Sequence, residues 1–119
     1  LKAWLELLVH KPAALPGALV RATVAARQAG DLAAAQGRLA AGVFSGNTQL
    51  FSIRDALDRF TGPLRVIVGN EDRIIPAGYA DLLPPHAALH RLPFVGHLPQ
   101  LEAAPLAARL VAQTVRSAG

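Results

Sequence analysis

Asp72 and His97 are the two residues whose types and spacing suit proton-transfer chemistry. Each follows a short, mostly apolar run, Leu64–Val68 and Ala87–Leu92, and each sits in a Gly-containing turn. Read as strands, the runs bring a carboxylate and an imidazole to the C-terminal ends of two neighbours. There the carboxylate fixes the imidazole tautomer and stabilises its protonated form, while the imidazole takes and returns a proton. Alone, Asp72 reads as an Asx-turn residue bonding its own backbone, and a lone loop His as an exposed polar residue. Their joint placement at successive strand ends is what favours an acid–base pair. Glu71 is the competing carboxylate, but it points the other way and reads as solvated. Glu102 falls in the first turn of the helix that Pro99 opens, where a carboxylate interacts favourably with the helix N-terminus.

What the pair lacks is a nucleophile. The serines are Ser45, Ser52 and Ser117. A nucleophile elbow reads G-x-S-x-G at a sharp strand-to-helix turn. Gly42-Val43-Phe44-Ser45-Gly46 carries its Ser one place late and follows a helical pattern rather than a strand. His86-x-x-x-His90 would suit a metal on a helix, but Pro84-Pro85 and the apolar run from Ala87 argue against a helix there, so no metal site is expected. Gly69-Asn70-Glu71-Asp72 lacks the Gly-Lys-Ser/Thr ending of a phosphate loop and carries two negative charges.

The stretch from Leu64 to Glu102 resembles the C-terminal part of the α/β-hydrolase family. Gly69-Asn70-Glu71-Asp72-Arg73-Ile74-Ile75-Pro76 is similar to that family's acid turn, and Gly96-His97-Leu98-Pro99-Gln100-Leu101-Glu102 to its histidine turn, G-H-x-P-x-x-E. The similarity is nearest to the acyltransferase (dihydrolipoyl acetyltransferase) subunit of the acetoin dehydrogenase complex. It rests on the run from Asp72 to Ala77, the run from Gly96 to Ala103, and Lys2-Ala3-Trp4-Leu5 with Leu8-Val9. The resemblance implies an α/β fold in which the order along the chain is Ser, then acid, then His. The Ser, the oxyanion-hole amides and the first strands would then lie upstream of Leu1. It implies Asp72 and His97 as catalytic residues, an acyl substrate, and a lipoyl group and coenzyme A as acyl carriers, neither bound by this segment. Other subunits of a 2-oxo acid or acetoin dehydrogenase-type complex are the implied partners. Ester or carbon–carbon bond hydrolysis on the same fold is the alternative chemistry.

The positioning elements read as follows. Leu1, Trp4, Leu5, Leu8 and Val9 recur at helical spacing over residues 2–10. Lys11-Pro12 ends that helix. Pro16 opens a second one to about Gln28, closed by Gly30, and Asp31 caps a third bearing Leu32, Leu39, Val43 and Phe44 on one stripe. Ser45-Gly46-Asn47 is a turn, and Ser52-x-x-Asp55 a capping box for a short helix to Phe60, with Ile53, Leu57 and Phe60 inward. Residues 1–60 therefore read as helical hairpins without strands, and by resemblance 1–50 form a cap over the site. In residues 61–119 a strand covered on both faces leads to a helix over Pro76–Leu83. A parallel second strand follows, then a helix from Pro99 to about Arg116 with Leu106, Leu110, Val111 and Val115 inward. The expected class is α/β, the C-terminal portion of an α/β-hydrolase fold with two parallel strands.

Composition bounds the function. The 119 residues are 52% hydrophobic, enough for one modest domain and too apolar for a disordered tail. Without Cys there is neither a disulfide nor a thiolate metal site, which suits a cytoplasmic setting. The net charge of +4 comes from scattered arginines, whereas a nucleic-acid groove gathers them on one face between aromatics. No apolar run reaches the length of a membrane span, and no leader pattern is seen. The start at Leu1 rather than Met fits a piece of a longer protein. Two strands are a small sheet, and their unpaired edges invite self-association, so the isolated segment reads as a packing or assembly module.

Overall fold

The computed structural model describes residues 2–119 as a mixed α/β chain. Four helices and a small hairpin precede a parallel pair of strands and two final helices. The helices are α1 (Lys2–Leu7), α2 (Gly17–Gln28), α3 (Leu32–Val43), α4 (Arg54–Arg59), α5 (Pro99–Glu102) and α6 (Ala104–Ser117). Strands β1 (Phe44–Ser45) and β2 (Thr48–Gln49) form one sheet, and β3 (Arg65–Gly69) and β4 (Ala88–Leu92) the other. No described helix is long and apolar enough to cross a membrane.

The parallel pair is where the apolar runs place it. Its register runs from Arg65 opposite Ala88 to Gly69 opposite Leu92, so both strands end at the same level. The turns after Gly69 and Leu92 therefore emerge side by side. Most of β3 is only half-buried, and it is not covered on both faces as its β-branched run predicts. Between the strands, Ala77–Leu82 is a 3₁₀ helix rather than an α-helix. A segment this short, held between Pro76 and Pro84-Pro85, has little room to propagate α-helical bonds.

Four local expectations are corrected. Residues 1–60 do contain strands: β1 and β2 pair antiparallel about Gly46-Asn47, with Gly46 at φ +58° as a tight hairpin turn requires. Ser52 and Asp55 form no capping box. Ile53 occupies the cap position, and the Ser52 hydroxyl accepts from the Arg54 amide at 3.2 Å. Asp31 takes the N-cap position of α3 as expected, but its side chain caps no amide and accepts from Arg38 Nη2 at 2.9 Å instead. The last helix is two, broken at Ala103, whose φ of −133° is not helical. Pro105 lacks the amide a continuous helix needs, and its ring clashes with the preceding turn.

The core is small and lies around the strand ends. Leu5, Leu8 and Val9 from the first segment are buried, Val9 completely. They are joined by Ala80, Leu92, Val95, Ala107 and Leu110. Helix α6 buries the face of Ala107 and Leu110, while Val111 and Val115, expected inward, are 60% and 68% exposed. Helices α2 and α3 bury nothing, and Leu32, Leu39 and Phe44 of the expected stripe lie exposed, as do Ile53 and Phe60.

Candidate active site

Asp72 and His97 meet. His97 Nδ1 lies 2.9 Å from Asp72 Oδ2, and the other carboxylate oxygen accepts the amides of Ile74 at 2.7 Å and Ile75 at 2.9 Å. Those two amides belong to the Asp72 turn itself. The Asx geometry and the pairing geometry are therefore the same structure, one oxygen serving each. The carboxylate is nearly buried and the imidazole about a third exposed. Burial pushes the Asp72 carboxyl up. The Ile75 amide, the His97 ring and the Ile74 amide, together with the His97 charge, outweigh it and hold Asp72 below the ordinary carboxylate range.

The two turns fit because two residues are glycine. A Cβ at Gly69 would run into the carbonyl groups of Val95 and Gly96. One at Gly96 would lie 2.8 Å from the His10 nitrogen and 2.9 Å from the Val9 carbonyl carbon. The turns are laced by main-chain bonds, Asn70 N–H to Leu92 O and Glu71 N–H to Val95 O, both at 2.9 Å. Phe94, in the turn before Val95, takes φ +60°, a costly conformation for a bulky residue. Its exposed ring lies 6.1 Å from that of His10.

Three site neighbours were not legible in the sequence. Glu102, read as a helix-terminus carboxylate, accepts the Gly96 amide at 2.8 Å and the His10 amide at 2.7 Å. His97 donates its own amide to Leu8 O at 2.9 Å. Arg73 Nη2 donates to Glu6 O at 2.6 Å and Val9 O at 2.9 Å, satisfying carbonyls at the end of α1. Residues 6–10 thus pack against the strand-end turns. The signal for Glu102 was its place in the Gly96–Glu102 turn, five residues after His97, whereas the contacts to residues 6–10 span most of the chain.

Among the described residues no serine hydroxyl bonds His97. Ser52 Oγ is engaged with Arg54, Ser117 donates to Gln113 O, and Ser45 sits in the β1–β2 hairpin. A cavity of about 580 Å³ opens beside β3 and reaches Asp72 and His97. Its walls are mainly apolar, including Leu57, Val66, Val68, Ile75 and Leu82. Arg54 Nη2, at its rim, donates to Leu82 O at 3.3 Å. Among the described residues no three His, Asp or Glu gather as a metal cluster. His90 Nε2 faces Arg65 Nη1 at 2.6 Å on the sheet, and His86 is exposed ahead of β4.

No protein-family model matches the chain, and no curated protein matches it.

Proposed function

We propose that Asp72 and His97 are the acid–base half of an acyl-transfer site of α/β-hydrolase type, completed by a serine on polypeptide upstream of Leu1. The observation that carries this reading is the 2.9 Å bond from His97 Nδ1 to a carboxylate whose second oxygen is already held by two amides. That bond makes Nδ1 the protonated nitrogen and leaves Nε2 as the base. The serine hydroxyl gives its proton to Nε2 as its oxygen attacks the acyl carbonyl carbon. The imidazolium, stabilised by Asp72, returns the proton to the departing group as its bond to the acyl carbon breaks. The acceptor then enters by the same route in reverse, its proton taken by Nε2.

A dihydrolipoyl acetyltransferase of the acetoin dehydrogenase type is the specific reading, with ester or carbon–carbon hydrolysis as its rival on the same machinery. The segment by itself fits coenzyme A poorly. Arg54 and Arg73, flanking the pair, are both tied to backbone carbonyls rather than free for a phosphate. Binding of carriers is therefore assigned to the rest of the parent protein, and no step is routed through them here.

A second reading, an assembly module when isolated, is favoured by the surface. The chain exposes 8182 Å², against about 6200 Å² for a compact protein of its mass. It is compatible with the first: a strand bearing the nucleophile would fill the cavity beside β3.

The deciding experiment uses a serine-reactive fluorophosphonate and a p-nitrophenyl ester. The 119-residue chain alone is expected to be silent. With the upstream polypeptide restored, labelling and turnover are expected, and His97→Ala should reduce kcat on the order of 10³-fold or more. Labelling of the isolated chain at Ser45, Ser52 or Ser117, abolished by His97→Ala, would overturn the assignment of the nucleophile. A restored protein indifferent to His97 would overturn the function.

A further inference from the structure

We infer that Glu102 is the positioning residue of this site, a carboxylate that holds His97 on Asp72 by binding main-chain amides on either side of a glycine contact. The inference rests on the proposed role of His97.

The two partners of the acid–base pair have separate anchors. Asp72 is held by the Ile74 and Ile75 amides of its own turn. His97 has no comparable local anchor. Its turn is held from outside, by Glu102 Oε1 on the Gly96 amide at 2.8 Å and by Leu8 O on the His97 amide at 2.9 Å. Glu102 Oε2 takes the His10 amide at 2.7 Å, so one side chain grips both the turn and the segment it leans on. Between those grips lies Gly96, packed so closely on Val9 and His10 that no side chain fits. Removing the carboxylate frees the Val95–Gly96 peptide, one residue before His97, while Asp72 stays where it is, and the imidazole drifts off its partner.

A carboxylate is required because both oxygens accept and both partners are N–H donors. A carboxamide has one acceptor, and its NH₂ would be set against a donor. Asp keeps two acceptors on a stem one methylene shorter.

The test observes the His97–Asp72 bond itself in the protein ¹⁵N-labelled at histidine. The wild-type protein is expected to show a slowly exchanging Nδ1–H resonance, assigned by its loss in His97→Gln and lost again in Asp72→Asn. Glu102→Gln should lose it or exchange it at least about tenfold faster. Leu110→Ala, which weakens the core elsewhere, should retain it below its own melting temperature, separating positioning from mere destabilisation. If Glu102→Gln does not fold, Glu102→Asp is the second variant, with exchange expected between wild type and Asp72→Asn. Wild-type exchange in a folded Glu102 variant, or no such resonance in the wild type, overturns the inference. The readout needs no turnover. A positioning role that stands beside a His97-independent enzyme would therefore sink the proposed function alone.

Discussion

At the scale of single residues, Asp72 divides its two oxygens between local structure and a distant ring. Its carboxylate is favoured in the folded state, so its folded pKa lies below its unfolded one. The stability it contributes is fully present above the ordinary carboxylate pKa of about 4 and is lost as pH falls through the depressed folded value. Melting temperatures from neutral pH into acid should therefore fall more steeply for the wild type than for Asp72→Asn, the two curves converging at low pH. Parallel curves would mean that Asp72 is not held as described. Gly69 is the second residue-scale case. Gly69→Ala drives a methyl group into the Val95 and Gly96 carbonyls, which are main chain and cannot rotate away. A loss of about 3 kcal/mol or more is expected in chemical denaturation, whereas Gly78→Ala, where nothing lies within contact, should stay within about 1 kcal/mol. Equal effects at the two positions would refute the close approach.

At the scale of elements, the strand pair and its turns were legible because their signals are local. Short, mostly apolar runs ended by Gly-containing turns specify strands, and the sequence predicts both to within one residue of where they lie. The break between α5 and α6 was equally local, since Pro105 stands in plain view, but the periodicity ran through it. That same periodicity placed Leu110 inward, as it is, but also Val111 and Val115, which are exposed. Heptad-like spacing marks which residues share a face without saying which of two apolar faces meets the sheet. Leu110→Ala should cost about 2–4 kcal/mol, and Val115→Ala should stay within about 0.5 kcal/mol, both read from denaturant midpoints. A reversed order would place α6 on its other face.

At the scale of the whole molecule, the chain is loosely gathered. Its Cα radius of gyration is 16.4 Å, where a compact domain of this length has about 13.5 Å. Exposed side chains include Leu39, Phe44, Phe51 and Ile53, and both β3 and β4 keep one unpaired edge among the described residues. Apolar surface of this extent and open strand edges favour association. Sedimentation of the isolated chain should show an average mass that rises with concentration. A sharp, concentration-independent monomer that melts cooperatively would refute this.

The amino-acid sequence by itself determined the two strands, the glycine turns and the placing of Asp72 and His97 at adjacent strand ends. Those features depend on backbone chemistry within a few residues, which is written where it acts. Only the tertiary structure decided that Glu102 binds two amides, that Arg73 and Leu8 tie the first segment to the turns, and that α2 and α3 bury nothing. Each depends on which main-chain groups remain unsatisfied after the elements have formed. An amide at His10 and a carboxylate at Glu102 carry no mark of one another until packing leaves the first without a partner and puts the second beside it.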